Sequence, residues 1–222
     1  MRRIALLVAL AAALLALTPT GPASAHTAST YYPKHWPSNI NIEYGLNAGF
    51  PGGTWPDRAY DSKQGWNNAA GTNEPEILWT LADGVLYGDP VKPCSLLSAN
   101  NTAIVFYTDL DPIGTGLVGL TARCAPSTTI LKASLTIDAT GRTWYAGTGS
   151  APAGSYDLWS AFAHEWGHVT GWSPHLTTGE ASTCPSPTET VVRHVMCPSI
   201  ATGTTVMRTL KTHDVHTFQG AY

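Results

Sequence analysis

The chemistry in this chain is concentrated in His164-Glu165-Trp166-Gly167-His168, two histidines four residues apart with a glutamate after the first. On an α-helix, residues i and i+4 lie one above the other, so both imidazoles reach one metal ion. Glu165 sits about 100° around the helix from His164 and contacts a bound water without ligating the metal. Neutral imidazole suits zinc, and a three-ligand site leaves a fourth position for water. Gly171 allows a left-handed or otherwise tight backbone, so the chain can leave the helix and turn back. Pro174 favours extended geometry at Ser173, and His175 follows as the candidate third ligand. The five-residue pattern alone also fits a polar helix with solvated or core-satisfied histidines; the residues that follow it favour metal.

A second element must meet this helix. His194-Val195-Met196-Cys197-Pro198 places Met196 in a tight turn, although core packing alone would also account for a methionine there. The four cysteines are Cys94, Cys124, Cys184 and Cys197, and an even count in an exported chain suggests two disulfides. Three pairings are possible. The sequence-local one, Cys94–Cys124 with Cys184–Cys197, is expected because short loops close most readily. A Cys184–Cys197 bridge would tie the Met196 turn to the loop after the helix.

The export signal is residues 1–25. Met1-Arg2-Arg3 is basic, Ile4 to Leu17 is almost unbroken Ala/Leu/Val, and Ala23-Ser24-Ala25 supplies a small-residue cleavage site. The apolar run is shorter than the about 20 residues that span a membrane comfortably, so secretion without a membrane span is expected. Residues 26–222 then form a single domain with a sizeable core. The 222-residue chain carries 12 basic and 15 acidic residues, a net charge of −3, and loses two of its arginines with the leader. Only 12% of residues are charged, against about 25% in an average domain. A nucleic-acid binder, which needs a basic footprint, is thereby disfavoured.

The elements that position the site read in order. Asn39 to Tyr44 alternates polar and apolar as a strand. Asp57 to Ala70 reads as a helix with Trp66 as a core residue and Gly71 as a stop. Ile77 to Leu81, Thr102 to Tyr107, Gly116 to Ala122 and Ile130 to Ile137 read as strands. Tyr156 to Val169 is the metal-binding helix, with Ser155 as N-cap and Asp157 near its positive end. Residues from Ser173 through Pro198 read mainly as turns and loop, and a last helix is expected from Val206 to Gln219. The fold class is α+β or mixed α/β, one twisted sheet with few helices.

These residues resemble the metzincin metallopeptidases, and within them the matrixin-like branch. The pattern H-E-x-x-H-x-x-G-x-x-H is matched from His164 through Gly171; one extra residue then precedes His175, and Pro174 occupies the usual ligand position. Val195-Met196-Cys197-Pro198 is similar to the family's Met-turn. His35-Trp36-Pro37 with the following strand, the helix around Ala59 to Trp66, and Leu210 to Tyr222 resemble its first strand, first helix and closing helix. The resemblance covers most of residues 26–222. It implies a mostly parallel twisted sheet with an antiparallel edge strand, an active-site helix and a C-terminal helix. It also implies a secreted zinc endopeptidase, expected to be a monomer, that acts on protein or peptide substrates. Zn2+ would be held by His164, His168 and His175, with Glu165 as catalytic base and Met196 as a floor beneath the ligands. A peptide substrate would pair with an exposed strand edge, for which Gly116 to Thr121 is the candidate, and Ser199 to Thr205 would wall the neighbouring pocket.

Departures from the family are equally specific. Only a short segment separates the leader from the first strand, so latency by a propeptide thiol is not expected. No histidine lies between His35 and His164, so the family's second, structural zinc site is not carried over. Asp109, Asp111 and Asp138 could offer oxygen ligands to Ca2+, but aspartates at turns more often bond their own backbone. Two competing readings remain. Glu180 or Glu189 would be the third ligand in another zinc peptidase architecture, although Pro185 and Pro187 disfavour a helix there. A non-catalytic secreted module could instead use the eight tryptophans and nine tyrosines as a platform for glycans or a cell surface.

Overall fold

In the computed structural model, which describes residues 34–79, 89–96, 101–113, 116–172, 194–197 and 199–222, the alternating stretch Asn41–Leu46 is strand β1. Ile42 and Tyr44 are fully buried, while Asn41 and Glu43 are exposed. Helix α1, Trp55–Ala69, follows; Pro56 suits its first turn and Asp57 lies at its positive end. The chain leaves α1 through extended Ala70, and the Glu74 carboxylate accepts the Gly71 N–H at 2.7 Å.

Four further strands complete the sheet: β2 (Glu76–Trp79), β3 (Thr102–Thr108), β4 (Gly119–Cys124) and β5 (Lys132–Asp138). Their order is β2-β1-β3-β5-β4, with every pairing parallel except β4, which runs antiparallel to β5 along the edge. The architecture is mixed α/β, with a mostly parallel sheet and few helices. The apolar run of β3 is explained by burial on both faces. Ala103 and Val105 join the main core with the helices, whereas Ile104 and Phe106 pack with Leu96 on the other side. The Cys94–Cys124 disulfide and the Lys132 Nζ bond to the Leu96 carbonyl (2.9 Å) fasten residues 89–96 over that second face.

Helix α2, Leu158–Val169, runs through the middle of the molecule, packed against α1, β4 and β5. Ten of its 12 residues are buried, which an apolar run such as Leu158-Trp159-Ser160-Ala161-Phe162-Ala163 tolerates. Two tryptophans interlock it with α1. Trp66 Nε1 donates to the Ala163 carbonyl at 2.8 Å, and Trp166 Nε1 donates to Ala59 at 3.1 Å. Trp36 Nε1 donates to Val169 at 2.6 Å near the helix end. Each indole buries a large apolar body while its single donor is satisfied.

Several boundaries differ from the sequence expectation, for identifiable reasons. Helix α2 begins at Leu158, and its cap is Asp157 instead of Ser155. Tyr156–Asp157 (β7) is held extended by a parallel ladder with Trp144–Tyr145 (β6), so the helix cannot start earlier. Asp157 then accepts from Ser160 N at 2.9 Å and Ser160 Oγ at 2.6 Å. Helix α3 spans only Thr212–Gln219 instead of starting at Val206. Residues 206–209 are turns and bends, where Arg208 reaches Asp157 with Nε at 2.9 Å and Nη2 at 2.6 Å. Among the described residues no helix is long and apolar enough to cross a membrane. The expected leader, residues 1–25, lies outside the described residues.

Candidate metal centre

Helix α2 delivers His164 and His168 to one face, and the backbone at both sides fixes how their rings point. The helix ends in a Schellman turn: Gly171 N donates to the His168 carbonyl at 3.1 Å and Trp172 N to the Gly167 carbonyl at 3.0 Å. Gly171 sits at φ +114°, a conformation that strains any residue with a Cβ. The reversal brings the Trp172 carbonyl to His168 Nδ1, 2.7 Å away. From the other side, the turn at 194–197 places the Val195 carbonyl 2.7 Å from His164 Nδ1.

A carbonyl only accepts, so each Nδ1 carries the proton and each Nε2 presents a lone pair. The two Nε2 atoms lie 3.2 Å apart. Two nitrogens bound at about 2.0–2.1 Å to one tetrahedral zinc would lie about 3.3–3.4 Å apart. A cation shared between the two Nε2 atoms would make both rings its ligands. Nδ1-to-carbonyl bonds of this kind fix tautomer and ring angle at metal-binding histidines. The donor set therefore fits zinc. His175, the expected third ligand, and the alternatives Glu180 and Glu189 lie outside the described residues. Among the described residues, no group of three or more His, Cys, Asp and Glu side chains is gathered for a metal.

Glu165 is nearly fully buried beside His164. Desolvation pushes its carboxyl up to about 7 from an ordinary 4.5, and a hydrogen bond from Thr121 opposes the rise. Thr121 Oγ1 lies 2.7 Å from Glu165 Oε2 and 3.1 Å from the Glu165 carbonyl. Strand alternation puts Gly119, Thr121 and Arg123 on the same face of β4. All three meet α2 or its terminal turn. A Cβ on Gly119 would fall 2.6 Å from Glu165 Oε1, and Arg123 Nη1 donates to the Gly171 carbonyl at 2.7 Å.

Met196 is fully buried directly under the helix, where Gly167 leaves room for it. A Cβ on Gly167 would collide with Met196 Sδ and come within 2.7 Å of Trp66 Cζ2. The turn is held in turn by α3: Asp214 Oδ2 accepts from Val195 N at 3.2 Å and from Lys211 N at 2.8 Å, and His194 Nδ1 lies 3.6 Å from the same oxygen. Cys197 carries no free thiol; Cys184, its expected partner, lies outside the described residues.

The candidate Ca2+ oxygens bond locally. Asp109 Oδ1 accepts from Asp111 N (3.0 Å) and Thr140 Oγ1 (2.8 Å), and Asp138 Oδ1 accepts from Leu110 N at 3.0 Å. Four of the eight tryptophans, Trp36, Trp66, Trp166 and Trp172, are fully buried and cannot form a surface platform. Residues without a short-range sequence signature complete the site: Gly119 and Thr121 from β4, and the backbone carbonyls of Trp172 and Val195. The segment Gly116 to Ala122 was legible in the sequence as a strand, but nothing there paired it with Glu165. No family model matches the chain, and no curated protein matches it.

Proposed function

We propose that this chain is a secreted zinc-dependent endopeptidase of the metzincin type. The observation that carries the reading is the pair of Nε2 lone pairs 3.2 Å apart, each ring fixed by a backbone carbonyl, with a buried carboxyl on the adjoining residue. His164 and His168 hold the metal, and His175 is the third ligand of this proposal. Zinc, when bound, supplies Lewis acidity and lowers the pKa of water toward neutrality. Glu165 takes the proton of the attacking water and delivers it to the leaving amine, while Thr121 donates to its Oε2. Met196 packs beneath the helix at Gly167 and takes no part in proton transfer. Among the described residues β4 is the edge of the sheet and runs beside Glu165, so an extended peptide substrate would lie along it by strand addition.

Glu165→Ala tests the reading. It should retain zinc and lose turnover by about 10²–10⁴-fold, whereas His164→Ala and His168→Ala should lose both. Full activity in Glu165→Ala would exclude the mechanism.

A further inference from the structure

Removal of a water proton needs more than a nearby carboxylate; it needs that carboxylate in one orientation. Glu165 has three rotatable bonds, and a side chain this long on a helix does not hold one rotamer unaided. Two features of β4 restrict it. Thr121 Oγ1 donates to Oε2 at 2.7 Å, which pins one oxygen to the strand. Gly119, two residues earlier on the same face, leaves the hollow in which the rest of the carboxylate lies: a Cβ there would sit 2.6 Å from Oε1 and 2.9 Å from Cγ. The strand itself is docked independently. The Arg123–Gly171 bond ties it to the end of α2, and its full ladder with β5 fixes it in the sheet. The Thr121 hydroxyl also lies 3.1 Å from the Glu165 backbone carbonyl, but the Arg123 bond and the ladder keep β4 docked without it.

We propose that Thr121 is a positioning residue: its hydroxyl, with the hollow at Gly119, holds the Glu165 carboxylate in the orientation for proton transfer. This rests on the peptidase reading above. The edge strand then has two roles on one backbone, since it borders the substrate path and orients the base. A purely architectural strand-to-helix bond would behave differently on substitution, because its loss would loosen the fold or the metal site and would not act on turnover alone.

The test compares Thr121→Val, Thr121→Ser and Gly119→Ala with the wild-type protein. T121V keeps the shape of the side chain and removes the hydroxyl. Its kcat should fall about 10- to 100-fold, the worth of one hydrogen bond to a charged group, with KM within about twofold and zinc occupancy unchanged. T121S should recover kcat to within about threefold of wild type. G119A, which presses on the same carboxylate from the strand, should also lower kcat at constant zinc occupancy and decides the matter if T121V does not fold. A second readout needs neither zinc nor substrate. In metal-free protein with 13C-labelled glutamate, the Glu165 carboxyl resonance, identified by its loss in E165Q, should shift in T121V and return in T121S. Wild-type turnover in T121V or G119A, T121S as slow as T121V, or an unshifted resonance would overturn the proposal. If wild-type protein hydrolyses nothing, the peptidase reading fails; the resonance then separately decides whether Thr121 holds Glu165.

Discussion

Gly167→Ala is a single-methyl perturbation whose consequences follow from the packing between helix and turn. The added Cβ would overlap Met196 Sδ and approach Trp66 Cζ2 to 2.7 Å, well inside ordinary contact. The indole cannot yield, because Trp66 is buried, its Nε1 is bonded to Ala163, and its ring meets Trp172 and Phe218 edge-on. Relief must come from Met196 and the turn that carries it. Overpacking of this kind costs about 1–3 kcal/mol, and the upper end applies where one neighbour is fixed. Replacing a mid-helix glycine returns about 1 kcal/mol of helix propensity. The net loss is about 2 kcal/mol, which lowers Tm by about 4–8 °C in a domain of this size. Movement of the turn also withdraws the Val195 carbonyl from His164 Nδ1, and loss of such a partner weakens metal affinity about 10- to 100-fold. The assay is thermal melting of metal-free protein together with zinc titration against a competing chelator. Gly52→Ala serves as control, since nothing lies within 4 Å of a Cβ there. A Gly167→Ala protein that melts with wild type and binds zinc equally would refute this account of the helix–turn contact.

Two further perturbations probe the buried charges. In metal-free protein the Glu165 carboxyl is raised to about 7 from an unfolded value of 4.5, so the folded state keeps its proton longer than the unfolded state does. The resulting penalty is absent below pH 4.5, grows as pH rises toward 7, and is complete above it. Glu165→Gln cannot ionise and escapes the penalty; denaturant melts should show equal stability at low pH and about 3 kcal/mol in favour of the variant at alkaline pH. A gap independent of pH would contradict the burial argument. Arg208→Met leaves the fully buried Asp157 carboxylate without its bidentate partner, and removal of one member of a buried pair costs about 3–5 kcal/mol. Denaturant unfolding should show that loss, and a change below about 0.5 kcal/mol would mean the pair is not what holds residues 206–209 to the start of α2.

What the sequence made legible is what short-range spacing encodes. The His164–His168 register, the turn at Gly171 and the burial of Trp66 follow from helical periodicity and from glycine's freedom at positive φ, and each is where that logic puts it. The strands were legible as apolar or alternating runs, and the local pairing Cys94–Cys124 is present. What was not legible depends on contacts between distant segments. Asp157 displaces Ser155 as cap because a two-residue ladder with Trp144–Tyr145 holds the chain extended. Helix α3 begins six residues later than its pattern suggested, where Arg208 is turned toward Asp157 and Asp214 accepts the Lys211 N–H. Thr121 looks like any strand threonine until β4 is laid against α2, 44 residues further along the chain. The carbonyls of Val195 and Trp172 carry no side-chain signature at all.

The decisive measurement is hydrolysis of casein or a quenched peptide by the purified protein, first as prepared, then after chelation, then after zinc is restored. A zinc-peptidase mechanism requires cleavage that is lost on chelation and recovered with zinc. A protein that holds one zinc per chain and cleaves nothing, or cleavage that survives complete removal of metal, would contradict it.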